Sequence, residues 1–291
     1  MNINELSQKA QMISDLANQN LGQLAGRCQE EIEVQDYYLG ILRRQVVLLS
    51  DLALLLNNRN SQYISTPFII LRSLLDDFLH ILYLELHIDK EAEIIKINAE
   101  AYKQSFGSLK ALTDSNYENF EGLYPFYLKN EELEELKMQF SQNDKNRKYF
   151  RDVDNFAFKK FLKCSQVAER IKSTREVNIY RDRAYYLWKE FSSFVHYSIY
   201  SFKMELEKSN ENMNIIDESL QYCYNSVNLA FKYFCKHPIK YPFSLSYFHC
   251  TFACAILYEL LTYFHYDKRT IYLFTGTASF KRFESSEISA T

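Results

Sequence analysis

Residues Thr66 to Glu85, TPFIILRSLLDDFLHILYLE, decide the fold. Thr66–Pro67 is a helix start, a capping hydroxyl followed by proline in the first turn. Phe68, Ile69, Leu71, Leu74, Leu75, Phe78, Leu79, Ile81 and Leu82 then cover most of the circumference, which predicts a helix buried on several sides. Polar groups interrupt it at a four-residue step, Arg72, Asp76 and His80, and residues so spaced share one helix face. Unpaired charge in such a helix costs several kcal/mol, so these groups need partners. Two arrangements meet that need. In one, Arg72 and Asp76 form an intrahelical surface pair and Asp77 faces solvent. In the other, Arg72 and Asp76 point into a bundle and hold a polar group on a neighbouring helix.

Working outward, the helical periods continue. Ile3, Leu6, Ala10, Ile13 and Ala17 alternate steps of three and four, the seam of a helix that docks on another helix. Further helices are expected over 36–56, 67–88, 90–112 (capped by Asp89), a short one from Asn130, then 154–173, 178–207, 217–236 and 244–266. Residues 113–130 are expected to be irregular, with Gly122 and Pro125 as breakers, and residues 141–152 to be a charged loop. One β-like run, Thr270 to Thr275, lies in the tail. Six Gly and four Pro in 291 residues leave little material for hairpins, so the class is all-α. The expected organisation is an N-terminal helical arm (1–35), a multi-helix bundle of about eight helices (36–266) and a tail (267–291). An arm of that length buries too little alone, which predicts a docking surface on a second copy, a homo-oligomer and in the simplest case a dimer.

The net charge of −3 exerts no global pull on nucleic acid. Seven basic residues nevertheless fall between Lys145 and Lys163. Lys145, Arg147, Lys148 and Arg151, interleaved with Tyr149 and Phe150 and followed by Phe161, form a candidate phosphate-tracking patch with stacking rings. The default for such a cluster is a solvated loop and helix face. The six cysteines show no CxxC pair. MNINELSQKAQ is polar and mixed in charge, unlike a secretory leader, and a reduced cytoplasmic setting is expected. Cys235, His237, His249, Cys250 and Cys254 are the one metal constellation the spacing allows. Without a knuckle motif it predicts no metal, and no cofactor is expected. The apolar window Phe248 to Tyr266 contains His249, Glu259 and His265, which suits a core helix better than a membrane span.

A second polar helix completes the candidate site. In Trp188–Lys–Glu190–Phe–Ser192–Ser–Phe–Val–His196, Ser192 sits one turn before His196 and can fix its imidazole, while Glu190 is nearly two turns back. A Ser–His–Asp nucleophile is not supported, because no strained elbow and no Gly-rich oxyanion loop accompany the serine. The two motifs, Ile70–Leu71–Arg72–Ser–Leu–Leu–Asp76 and Phe191–Ser192–Ser–Phe–Val–His196–Tyr–Ser, resemble the HEPN superfamily over roughly residues 36–236. Those helical proteins are often encoded in bacterial defence and toxin–antitoxin loci. The resemblance implies a HEPN-like core, dimerisation and metal-independent RNA cleavage by an Arg and a His. The family's Arg-x4–6-His spacing is absent here, since the nearest upstream arginine of His196 is Arg183. On this resemblance Arg72, Asp76 and His196 are the catalytic candidates, with His80, Glu190 and Ser192 supporting and RNA as partner. The alternative is a non-catalytic helical sensor or scaffold of a defence system, with a protein or nucleic-acid partner.

Overall fold

The computed structural model describes residues 2–24, 33–57, 65–123, 128–195 and 210–236. Eight α-helices occur among them: α1 (Ile3–Leu24), α2 (Glu33–Leu56), α3 (Ser65–Leu86), α4 (Lys90–Phe120), α5 (Asn130–Gln142), α6 (Cys164–Arg170), α7 (Arg175–Val195) and α8 (Asn210–Lys236). The fold is an all-α multi-helix bundle. One short hairpin interrupts it, β1 (Phe150–Asp152) paired with β2 (Ala157–Phe158) after a 3-10 turn over Asp144–Tyr149. The expected helix 244–266 and the Thr270–Thr275 run lie outside the described residues.

Two compact units divide the chain. In the first (Met1–Glu100, Lys148–Arg151 and Ala157–Phe248), α3 is the central helix and packs against α2, α6, α7 and α8. Leu71, Leu74, Leu75, Phe78, Leu79 and Ile81 are accordingly sealed from solvent. The register is antiparallel on both sides of α3. Arg44 and Tyr38 of α2 reach Asp77 and Glu85, whereas Phe68 and Phe78 meet Phe191 and Tyr180 of α7. Tyr180 and Tyr222 close an aromatic triangle on Phe78, tying α7 and α8 to the same core.

The segment set aside as an arm is packed on its own chain. Leu6, Ala10, Ile13 and Ala17 are buried, and α1 lies against α2 and α8. Ser7 and Ser14 donate to the Ala53 and Val46 carbonyls at 2.8 Å, fixing α1 antiparallel to α2, and Lys9 pairs with Asp217 on α8. The apolar seam therefore finds its docking surface within the bundle.

In the second unit (Ala101–Arg147, Asp152–Phe156 and His249–Thr291), Phe106 packs on Phe140 and Phe156. Two expectations change along this part of the chain. Helix α4 does not stop at 112 but runs to Phe120, ending only where Glu121 (φ 53°) and Gly122 (φ 75°) turn left-handed. The expected helix 154–173 is replaced at its start by the hairpin turn. Asp152 accepts from the Asn155 backbone, and Phe156 adopts φ 47°, which no continuing α-helix permits. Helix α3 begins at Ser65, so Thr66 lies inside it and does not cap it, but the signals at α4 and α5 hold. Asp89 accepts from the Ala92 N–H at 2.9 Å, and Glu132 accepts from the Lys129 N–H at 2.8 Å.

Candidate functional site

Helices α3, α6 and α7 assemble the polar groups in the first unit. Arg72 does not pair with Asp76; its Nε donates to Ser192 Oγ on α7 at 3.0 Å. Its guanidinium carbon stands 5.1 Å from the centre of the Trp188 ring. Ser192 in turn donates to the Trp188 carbonyl at 2.8 Å, so its oxygen is aimed at the arginine by the helix that carries it. Two helices far apart in sequence are thus joined by a charge-assisted bond at a half-buried position. Among the described residues the terminal nitrogens of Arg72 make no hydrogen bond.

One turn on, Asp76 is a third exposed and faces α6, where the Cys164 thiol lies against it. Burial, and next the Asp76 charge, push the Cys164 pKa up, with Arg72 opposing weakly. Cys164 therefore stays a thiol and is no nucleophile. His80, a further turn along, places Nδ1 2.7 Å from the Asp76 carbonyl. A carbonyl only accepts, so Nδ1 carries a proton in this contact. The ring packs on Phe161.

Asp77 is the larger departure from expectation. It does not face solvent: it is 7% exposed and takes the Arg44 Nε of α2 at 3.0 Å. Burial raises its pKa to about 7 despite the opposing Arg44 charge. Tyr37 and Cys223 share this buried pocket and are pushed up in turn, chiefly by burial and then by the Asp77 charge.

The remaining candidates divide. Glu190 is exposed on the opposite side of α7 from Ser192 and does not join Arg72. His196 lies outside the described residues, one turn beyond Ser192 in sequence. Two of the four residues of the basic patch are paired with acids. In the second unit Arg147 pairs with Asp144 at 3.3 Å, and the Lys145 N–H is held by the Asn143 side chain. In the first unit Lys148 pairs with Glu33, and Arg151 projects from β1, exposed. Tyr149 and Phe150 are buried, so the rings expected to stack on bases are spent inside the protein.

Among the described residues no group of three or more His, Cys, Asp and Glu side chains could hold a metal ion, and no helix is long and apolar enough to cross a membrane. Of the metal candidates, His237, His249, Cys250 and Cys254 lie outside the described residues, and Cys235 is exposed at the end of α8. Trp188 and Cys164 are site residues that sequence reasoning left without a role. The signal for Trp188 was its place four residues before Ser192 on the same helix face; nothing in the sequence pointed to Cys164.

No curated protein and no solved structure matches the chain. A match over residues 35–213 covers α2, α3 and α7 with everything between them, and through it the chain belongs to a family of unknown function (DUF5677).

Proposed function

We propose that this protein is a metal-independent, HEPN-like endoribonuclease of a bacterial defence or toxin system, acting as a dimer in the cytoplasm. What supports this reading is one observation: Arg72 of α3 donates to Ser192 of α7 at 3.0 Å. It anchors a guanidinium on α7 at a residue four positions before His196 in sequence, and in this reading Arg72 supplies the Arg that the family's spacing lacks.

The chemistry needs a base and a cation beside the scissile phosphate. In this reading His196 takes the proton of the ribose 2′-hydroxyl and the 2′-oxygen attacks phosphorus. The bond from phosphorus to the 5′-oxygen then breaks. The proton ends on that 5′-oxygen, leaving a 2′,3′-cyclic phosphate and a 5′-hydroxyl. Arg72 neutralises the charge that grows on the phosphoryl oxygens, and Asp76 keeps the local field from expelling it. The test is cleavage of single-stranded RNA in the presence of a chelator. His196→Ala is expected to lower the rate by about 100-fold or more at an unchanged melting temperature. Arg72→Ala is expected to lower the rate likewise, at a cost of about 1 kcal/mol in stability because its bond to Ser192 is lost.

The rival reading is a non-catalytic helical sensor or scaffold. The observation on its side is that Ser192 and the Trp188 ring already occupy Arg72, as a structural latch requires. A wild-type protein that cuts no RNA, with His196→Ala and Arg72→Ala variants that each lose several kcal/mol of stability, favours that rival.

A further inference from the structure

An open groove of about 740 Å³ lies between α6 and α7, of the size that small-molecule sites take, and reaches the Arg72 latch only through Tyr185 and Trp188. Its walls are Ser165, Glu169 and Lys172 on one side and Arg181, Asp182 and Tyr185 on the other. Arg181, Tyr185, Trp188 and Ser192 follow one another at steps of four, three and four, so a single stripe of α7 runs from the groove to Arg72. Along it the rings are stacked: Tyr185 lies on Trp188 at 15° with centroids 5.7 Å apart, and Trp188 carries the Arg72 guanidinium. The column is cation, indole, phenol, and its phenol end lines the groove.

The charges in the groove sort themselves. Asp182 is neutralised by Arg181, whose Nη2 lies 2.6 Å away, and Arg181 is further anchored on the Ile171 carbonyl. Asn178 braces both backbone groups of Ser173. Among the described residues Glu169 and Lys172, both exposed, have no ion-pair partner. The groove therefore offers a flat π surface, one ammonium and one carboxylate. A nucleotide answers all three: its base stacks, its phosphate meets the ammonium, and the exocyclic amino group of cytosine donates to a carboxylate.

We propose that this groove binds a base of single-stranded RNA, stacked on Tyr185, with its phosphate on Lys172 and its amino edge on Glu169. The proposal deepens the ribonuclease reading and rests on it for the identity of the polymer. Trp188 is the chain's single tryptophan, so its emission reports directly on the column. The full chain is titrated with 2′-O-methyl oligocytidylate, which lacks the attacking hydroxyl and so separates binding from cleavage. A saturable change in Trp188 fluorescence is expected. By anisotropy of the labelled oligomer, Tyr185→Ala weakens binding about tenfold or more, as the loss of one stacked base does. Lys172→Glu, at an exposed position that poses no risk to folding, weakens binding and flattens its salt dependence. The proposal is overturned if the wild type shows no saturable change up to millimolar oligomer. It is equally overturned if Lys172→Glu and a folded Tyr185→Ala bind as the wild type does. Binding lost in these variants, by a protein that cleaves no RNA, keeps the groove and removes the nuclease. Cleavage that survives both variants unchanged keeps the nuclease and removes the groove.

Discussion

Helix α3 holds a polar contact on each of two faces, and the two are built differently. Toward α2, Asp77 is sealed, its one ion-pair partner among the described residues is Arg44, and burial dominates its titration. Toward α7, Arg72 is half-buried, is bonded to a neutral hydroxyl and lies over an aromatic face. The first arrangement costs desolvation that one ion pair does not offset, which is why the proton is retained to about pH 7. Among the described residues the second leaves the terminal nitrogens of a permanent cation without a hydrogen bond. A sealed charge serves the packing of the bundle; a partly committed one is available to a ligand.

The largest expected effect concerns Asp77. Its pKa in the fold, about 7, stands above its ordinary 3.8. Between those values the folded protein keeps a proton that the unfolded chain has released, so stability falls as pH rises through that window and levels off above it. At about 1.4 kcal/mol per unit, this group removes about 4 kcal/mol between pH 4 and pH 8. Asp77→Asn cannot take the charge. Urea unfolding at a series of pH values should therefore show the variant gaining on the wild type by that amount as pH rises. Parallel curves for the two proteins would place Asp77 in contact with solvent.

Arg44→Met sharpens the same face with a smaller effect. Breaking a buried ion pair ordinarily costs about 3–5 kcal/mol because a charge is stranded. Here Asp77 escapes by keeping its proton, and with a pKa already near 7 the escape costs about 1 kcal/mol at pH 8 and little at pH 5. Arg44 is itself about half exposed and loses little on being removed. Measuring the variant at the two pH values separates this account from simple loss of side-chain packing, which both would show equally.

Much of this was legible in the chain. The apolar coverage of residues 66–85 implied a helix with neighbours on several sides, and polar groups inside it implied partners on another helix. Arg72 and Ser192 meet that expectation, and Asp89 caps α4 as its position suggested. The face assignment was not legible. Asp76 and Asp77 are adjacent and chemically alike, and with α2, α6, α7 and α8 all packed on α3 the sequence does not say which acid meets a neighbour and which stays partly exposed. Only the position of Arg44 on α2 decides which of them is sealed. The hairpin was hidden for another reason. Its turn lacks Gly and Pro, and the left-handed residue is Phe156, whose ring is held against Phe106. Tertiary packing there overrides local preference.

The smallest effect tests the α7 face by itself. Arg72→Met and Ser192→Ala each remove one side of a single half-buried hydrogen bond. Neither strands a buried charge, because Arg72 is partly solvated, and the Trp188 carbonyl that Ser192 caps already belongs to the helix. Each variant should lose about 1 kcal/mol, with Arg72→Met the costlier because the stacking on Trp188 goes too. The double variant should lose less than the sum of the two, with a coupling of about 0.5–1.5 kcal/mol, since the shared bond is lost only once. Unlike the Asp77 effect, this coupling should not change between pH 5 and pH 8, because neither a guanidinium nor a hydroxyl titrates there. A coupling of zero in urea unfolding would mean that α3 and α7 are held together by Phe68, Phe191 and their neighbours alone, leaving Arg72 no more tied to α7 than any other residue of α3.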